Sequence, residues 1–251
     1  MEIKIQYCSD LHLEFPENKA FLKANPLLPV GDILILAGDI VPFADMNRHH
    51  DFFDYVSDKF EAVYWIPGNH EYYYSDAYNK DGYTEAIRSN VFLINNQSVI
   101  FKNTRLIFST LWSLISPDYE LSIRKSLSDF HVISYRYKPF TPQHYNQLHK
   151  KSLKFLTASL KQKKELPTIV VTHHMPTFYH YPEKYKGSVL NEAFAVELFD
   201  MIGQSNVDYW IYGHTHGNVP GFTIGKTRLL TNQLGYVRHN EHADFKTDLI
   251  I

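Results

Sequence analysis

Short apolar runs alternate with amphipathic patterns along the whole chain. Residues 32–36 (Asp-Ile-Leu-Ile-Leu) form a nearly continuous apolar run that ends at Gly38-Asp39, as expected for a strand buried on both faces. Residues 47–60 place phenylalanine and valine on one helical face, and Thr141-Pro142 is an N-cap followed by proline at the first helical position. The pattern therefore predicts strands interleaved with helices.

The predicted elements form a mixed α/β series. Strands are predicted at 3–7, 32–36, 62–66, 91–94, 98–102, 105–109, 168–172, 207–212, 219–224 and 227–231, the last two as a hairpin over Gly225-Lys226. Helices are predicted at 47–60, 84–89, 141–163 and 191–202. The sequence contains no repeat, low-complexity segment or linker-like stretch, so we expect a single domain over residues 1–251.

The composition excludes several classes of protein. Apolar residues make up 44% of the chain, and 25 Lys and Arg against 27 Asp and Glu give a net charge of −2, which argues against a disordered chain and a strongly basic nucleic-acid binder. Cys8 is the only cysteine, and no apolar run reaches the length of a membrane span. We therefore expect a cytoplasmic protein without disulfides or membrane association. The 14 histidines direct attention to metal binding and proton transfer.

Polar motifs follow five of the predicted strands, at the edge where open α/β sheets place their sites. These motifs are Asp10-Leu11-His12, Gly38-Asp39, Gly68-Asn69-His70-Glu71, His173-His174 and Gly213-His214-Thr215-His216. Asp-x-His and Gly-Asp are weak signals alone, whereas all five in order are not expected by chance. On an extended segment the side chains of Asp10 and His12 point to the same side, as do those of His214 and His216, because successive side chains alternate.

The motifs resemble those of the calcineurin-like metallophosphoesterase superfamily, over nearly the whole chain from Asp10 to His216. Within it the chain is most similar to compact, capless bacterial-type phosphohydrolases, whose opening block Ser-Asp-Leu-His-Leu-Glu-Phe is found here at 9–15. Three further segments fit the same subgroup: 110–112, 171–174 and 232–236. The resemblance implies an α/β fold in four layers, a sandwich of two mixed β-sheets packed face to face and flanked by helices.

The resemblance also implies a two-metal site between the sheet ends. One metal would be held by Asp10, His12, Asp39 and His216, and the other by Asp39, Asn69, His173 and His214, so that Asp39 bridges them. His70 would be the catalytic residue that handles a proton beside the metals, and not a ligand. If the register slips by one residue, His173 and His174 exchange roles.

The chemistry of these residue types agrees with that assignment. Two divalent ions carry four positive charges against the carboxylates of Asp10 and Asp39, which leaves a net positive charge suited to a phosphate anion. Imidazole, carboxylate and amide ligands favour manganese, iron or zinc over calcium. Two ions roughly 3.5–4 Å apart clamp a phosphoryl group and lower the pKa of bridging water, so that a metal-bound hydroxide attacks in line.

Residues beside the motifs receive weaker interpretations. Glu71 and His174 are expected to orient neighbouring groups rather than to bind metal, since ligating histidines need hydrogen-bonding partners. The run at 72–74 (Tyr-Tyr-Tyr) is interpreted as a packed loop, with an aromatic platform beside the site as the alternative. Asp129 and His131 are interpreted as ordinary exposed polar residues.

The sequence therefore predicts a dinuclear-metal phosphoesterase that hydrolyses phosphomonoesters or small phosphodiesters. One alternative is a catalytically inactive binding module on the same scaffold, although every ligand position and His70 are filled here. The other is a nuclease, although the charge balance supplies no basic groove for duplex DNA. The tyrosine-rich segment 72–83 favours a small phosphorylated substrate with an aromatic ring, such as a nucleotide. The motifs leave the ester type and the metal open.

Overall fold

Two β-sheets form the centre of the computed structural model, which describes residues 3–78, 82–162 and 165–251. The first sheet contains β1 (Ile5–Cys8), β2 (Ile33–Leu36), β3 (Ala62–Trp65), β4 (Tyr83–Arg88) and β5 (Val91–Asn95). Its strand order is β1-β2-β3-β5-β4, and all neighbours are parallel except β4, which runs antiparallel to β5.

The second sheet is also mixed. It begins with β6 (Gln97–Phe101) and β7 (Thr104–Ser109), whereas β8 (Ser134–Tyr135) and β9 (Lys138–Pro139) form a separate hairpin. The remaining strands are β10 (Thr168–Thr172), β11 (Tyr209–Tyr212), β12 (Phe222–Ile224) and β13 (Thr227–Thr231). The order is β12-β13-β11-β10-β7-β6, with four parallel strands in the middle and an antiparallel strand at each edge.

Alternate residues of the two sheets meet in a shared core between them. Ile33 and Ile35 of the first sheet pack in one cluster with Ile169 and Val171 of the second. The intervening residues point to the outer faces, which is why these strands are apolar throughout.

Helices cover both outer faces. The helices are α1 (Pro16–Ala24), α2 (His50–Lys59), α3 (Glu120–Ser126), α4 (Asp129–Val132), α5 (Pro142–Leu160) and α6 (Phe199–Gln204). The first two pack on the first sheet through residues such as Leu22 and Phe53, and α5 and α6 pack on the second sheet through Leu156 and Ile202. The predicted four-layer α/β sandwich of two mixed sheets is therefore confirmed. No helix within the described ranges is long and apolar enough to cross a bilayer.

Two predicted helices were wrong. Residues 84–89 were expected to be helical, but 84–88 belong to β4, which pairs with β5 through Thr84 and Ile94. Sheet pairing overrides the weak local pattern. Residues 191–202 do not form one helix either. They contain a 3₁₀ turn at Asn191–Ala193 and then the start of α6. The backbones of Phe194 and Val196 bond to that of Met175, so Ala195 forms a β-bridge with Met175 that interrupts the helix.

Candidate metal centre

The carboxyl ends of strands from both sheets meet at one edge of the sandwich. The ends of β1, β2 and β3 lead into Asp10, Asp39 and Asn69, and those of β10 and β11 lead into His173 and His214. The two sheets are tied together there because Ser9, at the end of β1, bridges to Gln233 after β13. The predicted ligands are buried, apart from a small exposed part of His216.

Tight turns, and not strand alternation, orient the predicted ligands. The φ angle is 56° at Asp10, 46° at His12, 56° at Asp39, 74° at His214 and 48° at His216. The expectation of extended Asp-x-His and His-x-His segments was therefore wrong, although the side chains do converge. Left-handed conformations at non-glycine residues cost of order 1–3 kcal/mol each and cluster at functional sites.

Glycines allow the strand-end loops to approach one another closely. A Cβ on Gly213 would lie 2.6 Å from Asp10 Oδ2, and one on Gly68 would overlap Asp39 Oδ1. Both motifs need glycine at these positions because a side chain would take the space of a carboxylate.

One group of converging side chains lies on the side of the first sheet. The ligand atoms of Asp10, His12, Asp39 and His216 all lie within 4.8 Å of one another. His12 Nε2 is 3.0 Å from His216 Nε2 and 3.8 Å from Asp39 Oδ2, and His216 Nε2 is 3.4 Å from Asp10 Oδ1.

The outer nitrogens of these two imidazoles face carboxylates. His12 Nδ1 lies 3.2 Å from Glu14 Oε1, and His216 Nδ1 lies 2.8 Å from Glu241 Oε2. A carboxylate accepts, so each ring donates its Nδ1–H outward and, when neutral, turns an unprotonated Nε2 inward.

A second group shares Asp39 and includes His173 and His214, again within 4.8 Å. His173 donates Nδ1–H to the Ala37 carbonyl at 2.9 Å, and His214 donates Nε2–H to the Ala193 carbonyl at 3.2 Å. Their other nitrogens, His173 Nε2 and His214 Nδ1, therefore face each other at 3.1 Å as acceptors in the neutral rings.

Asn69 completes the second group with an amide oxygen. Its Nδ2 donates to Asp129 Oδ1 at 2.9 Å, which leaves Oδ1 turned toward His173 Nε2 at 3.2 Å. This arrangement assigns the amide orientation from its partners.

The donor set fits divalent metal ions. The inward nitrogens of His12 and His216 are 3.0 Å apart, and those of His173 and His214 are 3.1 Å apart. In the neutral rings their lone pairs repel unless positive charge lies between them. Burial opposes positive charge on His173 and His216, yet Asp39 and Asp10 beside them raise the pKa of each ring to about 9. The same negative potential attracts a cation.

Glu71 ties together the loops that carry Asp39 and Asn69. Its buried carboxylate accepts four hydrogen bonds, from the backbone N–H groups of Asp39, Ile40 and Gly68 and from Trp65 Nε1, at 2.6–3.0 Å. Burial and the Asp39 charge outweigh these N–H donors and raise the pKa of Glu71 to about 8. Because all four partners are donors, the pocket suits the carboxylate form.

His174 faces away from both groups. Its Nδ1 lies 3.3 Å from the Thr110 carbonyl and its Nε2 3.0 Å from the Tyr145 hydroxyl. Burial holds the pKa of His174 well below its usual range, so the ring is neutral. Its ring packs 4.2 Å from that of His214, and the geometry gives the inward position to His173.

His70 lies beside the first group. Asn69 is in a helical conformation and His70 begins a 3₁₀ turn, so consecutive side chains separate. His70 Nδ1 is 2.9 Å from Glu14 Oε1, and Nε2 is 3.3 Å from the Tyr236 hydroxyl. Burial lowers the pKa of His70, but Asp39 and Glu14 outweigh it and raise the pKa. Although His12, Glu14 and His70 also form a close group, its contacts are N–H to carboxylate pairs that need no cation.

Residues 3–218 match the family model of the calcineurin-like phosphoesterases. The chain belongs to this family. It is a metal-dependent phosphoric ester hydrolase, and the resemblance inferred from the strand-end motifs is confirmed.

One curated protein and two solved structures are similar to this chain. An uncharacterized protein of Acanthamoeba polyphaga mimivirus is 32% identical over 263 residues, covering 92% of this chain and 91% of the relative. A phosphopantetheinyl hydrolase from Mycobacterium tuberculosis superposes with a TM-score of 0.69 at 19% identity, covering 94% of this chain and 90% of that one. At that identity the likeness shows the fold. A dimetal phosphatase from Danio rerio gives a TM-score of 0.44 at 12% identity, covering 92% and 87% of the two chains.

A cleft of about 300 Å³ opens over the ligand groups of the phosphoesterase. Part of its lining is apolar or aromatic, with Leu127, Tyr185, Leu190 and Phe194, and serines lie beside them. Among the described lining residues none is lysine or arginine. Lys184 and Arg238 lie over the Tyr185 and Tyr236 rings, outside this lining, so positive charge inside the cleft comes from its metal end.

The three tyrosines at 72–74 lie in three environments: the core, the cleft and the solvent. Tyr72 is buried among the aromatic residues near Trp112, whereas Tyr74 is 73% exposed. Tyr73 stacks on His70 with ring centroids 4.1 Å apart and donates its hydroxyl hydrogen to Asp129. One tyrosine of the three thus lines the cleft.

Sequence reasoning missed three carboxylates of the site. Asp129 is buried and accepts a hydrogen bond from Asn69, so its interpretation as an exposed residue was wrong. His131 is exposed as expected. Glu14 and Glu241 contact the outer nitrogens of His12 and His216. Glu14 continues the Asp10-x-His12 spacing by two residues, which was a usable signal; no local pattern marked the other two.

Proposed function

We propose that the chain hydrolyses phosphomonoesters or small phosphodiesters at a two-metal centre formed by the strand-end loops. The observation that carries the proposal is the convergence of inward-facing acceptor atoms from both sheets on the shared carboxylate of Asp39. A binding module would have no need for seven potential metal ligands together with His70.

The proposed ligands form two sets. Asp10, His12, Asp39 and His216 would hold one ion, and Asp39, Asn69, His173 and His214 the other. When bound, such a pair supplies electrophilic assistance to the phosphoryl oxygens and lowers the pKa of water to near neutrality. Nitrogen and oxygen donors of this kind support manganese, iron or zinc.

His70 is the proposed proton donor to the leaving oxygen. It lines the cleft beside Asp39 but turns its Nδ1 to Glu14, so its Nε2 remains for the substrate. The Tyr236 hydroxyl, 3.3 Å from that nitrogen, lies where it can orient the same group. General acid help of this kind contributes about 10²–10⁴-fold to a rate.

The cleft supports a small ester with an uncharged alcohol part. A volume of about 300 Å³ lies at the small end of ligand pockets. The charged residues Asp129 and Glu241 that line the cleft are acidic. Two cations, Lys184 beside Glu241 and Arg238 over the Tyr236 ring, lie outside the described lining. The same charge distribution argues against a nuclease. A nucleoside monophosphate remains compatible, with Tyr73 as the aromatic contact.

A second candidate substrate is a phosphopantetheinyl ester. The solved structure with a TM-score of 0.69 is named for hydrolysis of such a group. The apolar wall formed by Leu127, Leu190 and Phe194 suits an uncharged flexible chain.

A cytoplasmic site of action is also part of the proposal, because Cys8 is the chain's only cysteine and is unpaired.

The test compares two leaving groups in monoesters and in diesters, and adds a phosphopantetheinyl ester. The chelated protein is reloaded with manganese, iron or zinc and assayed on 4-nitrophenyl and benzyl phosphates, on the matching diesters, and on a phosphopantetheinyl ester. His70→Ala is expected to keep both metals and lose about 10²–10⁴-fold in kcat on benzyl esters, with a smaller loss on 4-nitrophenyl esters, whose leaving group departs without a proton.

The exposed His131→Ala variant is the matched control and should behave as the wild-type protein. Metal loss in His70→Ala would make His70 a ligand. Absence of metal-dependent hydrolysis with every ester would leave the binding module as the better description.

A further inference from the structure

Glu14 contacts two histidines with different proposed roles, the metal ligand His12 and the proton donor His70. It follows the Asp10-Leu11-His12 motif in the loop after β1 and precedes α1, and its side chain is 12% exposed. One oxygen, Oε1, lies 3.2 Å from His12 Nδ1 and 2.9 Å from His70 Nδ1. The other oxygen, Oε2, is buried and has no hydrogen-bond partner among the described residues.

The contact with both rings distinguishes Glu14 from the other carboxylates. Glu241 contacts one imidazole, that of His216. Glu14 instead joins a proposed metal ligand to the proposed proton donor, whose ring centroids are 4.4 Å apart in an edge-to-face arrangement. A single oxygen therefore sets the angle between the two rings.

The shared contact also determines which nitrogen of each ring faces the cleft. Because both Nδ1–H groups are donated to Glu14, His12 turns Nε2 toward Asp39, and His70 turns Nε2 toward the Tyr236 hydroxyl. Without the carboxylate, the Nδ1 of His70 has no described side-chain partner, and rotation about the ring bond can exchange its nitrogens.

We propose that Glu14 is a positioning residue that orients His70 for proton donation while holding His12 as a ligand. This inference rests on the proposed role of His70. Glu14 acts through the two rings because no other described group donates a hydrogen bond to it. Its effect on catalysis should therefore depend on whether His70 is present.

A double-mutant cycle measures that dependence. The wild-type protein, Glu14→Ala, His70→Ala and the double variant are assayed on benzyl phosphate at saturating manganese, with metal per chain determined by elemental analysis. Glu14→Ala is expected to lower kcat about 10–100-fold when His70 is present and less than about 3-fold in the His70→Ala background, because coupled residues are non-additive. On 4-nitrophenyl phosphate the loss should be smaller.

Two further variants keep the test decisive. Glu14→Gln retains a carbonyl oxygen that accepts from the rings, so it should recover part of the lost rate; if Glu14→Ala fails to fold or loses metal, the same cycle is run with Glu14→Gln. Glu241→Ala is the matched control. Its loss should be equal in both backgrounds because its imidazole partner is His216 and its contact with Tyr236 is to the backbone N–H, not to the hydroxyl beside His70.

The outcomes separate the two proposals. If His70→Ala lowers the rate but Glu14 variants cause the same fold loss with and without His70, the inference about Glu14 is overturned and the proposed function stands. If His70→Ala has no effect on benzyl ester hydrolysis, the role of His70 fails and Glu14 cannot act through it.

Discussion

Replacing Glu71 by Gln tests the network that holds the metal-site loops together. The carboxylate accepts two hydrogen bonds at each oxygen: Ile40 N and Trp65 Nε1 at Oε1, and Asp39 N and Gly68 N at Oε2. Glutamine has one oxygen and one NH₂ group. In either orientation of the amide, two buried N–H donors therefore face another donor.

The cost follows from those two lost acceptors. Each buried donor left without a partner costs about 1–3 kcal/mol, so Glu71→Gln should lower the free energy of unfolding by about 2–6 kcal/mol. This is a large part of the 5–15 kcal/mol that is typical of native proteins. At about 2–4 °C per kcal/mol for a chain of this size, a loss of about 4 kcal/mol lowers Tm by about 8–16 °C.

The assay is thermal unfolding of the chelated protein at about pH 9, above the raised pKa of Glu71, and is followed by far-ultraviolet circular dichroism. Chelation ensures that metal binding does not add to the result. Glu85→Gln is the matched control because Glu85 is exposed on β4, and it should change stability by no more than about 0.5 kcal/mol. A Tm for Glu71→Gln within about 2 °C of the wild-type value would refute the assignment of Glu71 as an ionised acceptor of four hydrogen bonds.

Further predictions concern the metals and the packing around them. Asp39→Ala should remove both ions, since one carboxylate serves both sets, and two metals per chain by elemental analysis would contradict the bridge. Gly68→Ala should cost about 100-fold or more in kcat because the added methyl overlaps Asp39 and lies 2.6 Å from His173 Cε1, whereas at Gly82 the nearest atom would be 3.7 Å away and alanine should be tolerated. Manganese at about 100 times its Kd should stabilise the protein by about 2.7 kcal/mol; an unchanged Tm on adding the metal would count against the site.

Much of the candidate site follows from local sequence pattern. A run such as Ile33–Leu36 can be buried on both faces only inside a sheet, and a polar residue directly after it, such as Asp39, must then lie at the sheet edge. Parallel strands bring their carboxyl ends to the same edge. The motif residues were therefore predictable as neighbours from apolar runs and their polar ends, without knowledge of any contact.

Tertiary structure decided how those residues are held. Glu14 reaches His70 across 56 positions, Asn69 reaches Asp129 across 60, and His216 reaches Glu241 across 25. Such pairs leave no periodic trace, because each depends on how separate loops pack over the strand ends. The left-handed turns at Asp10 and Asp39 and the formation of β4 beside β5 have the same origin. Hydrophobic periodicity encodes which faces are buried, whereas the conformation of a loop and the partner of a buried charge are determined by the elements packed against them.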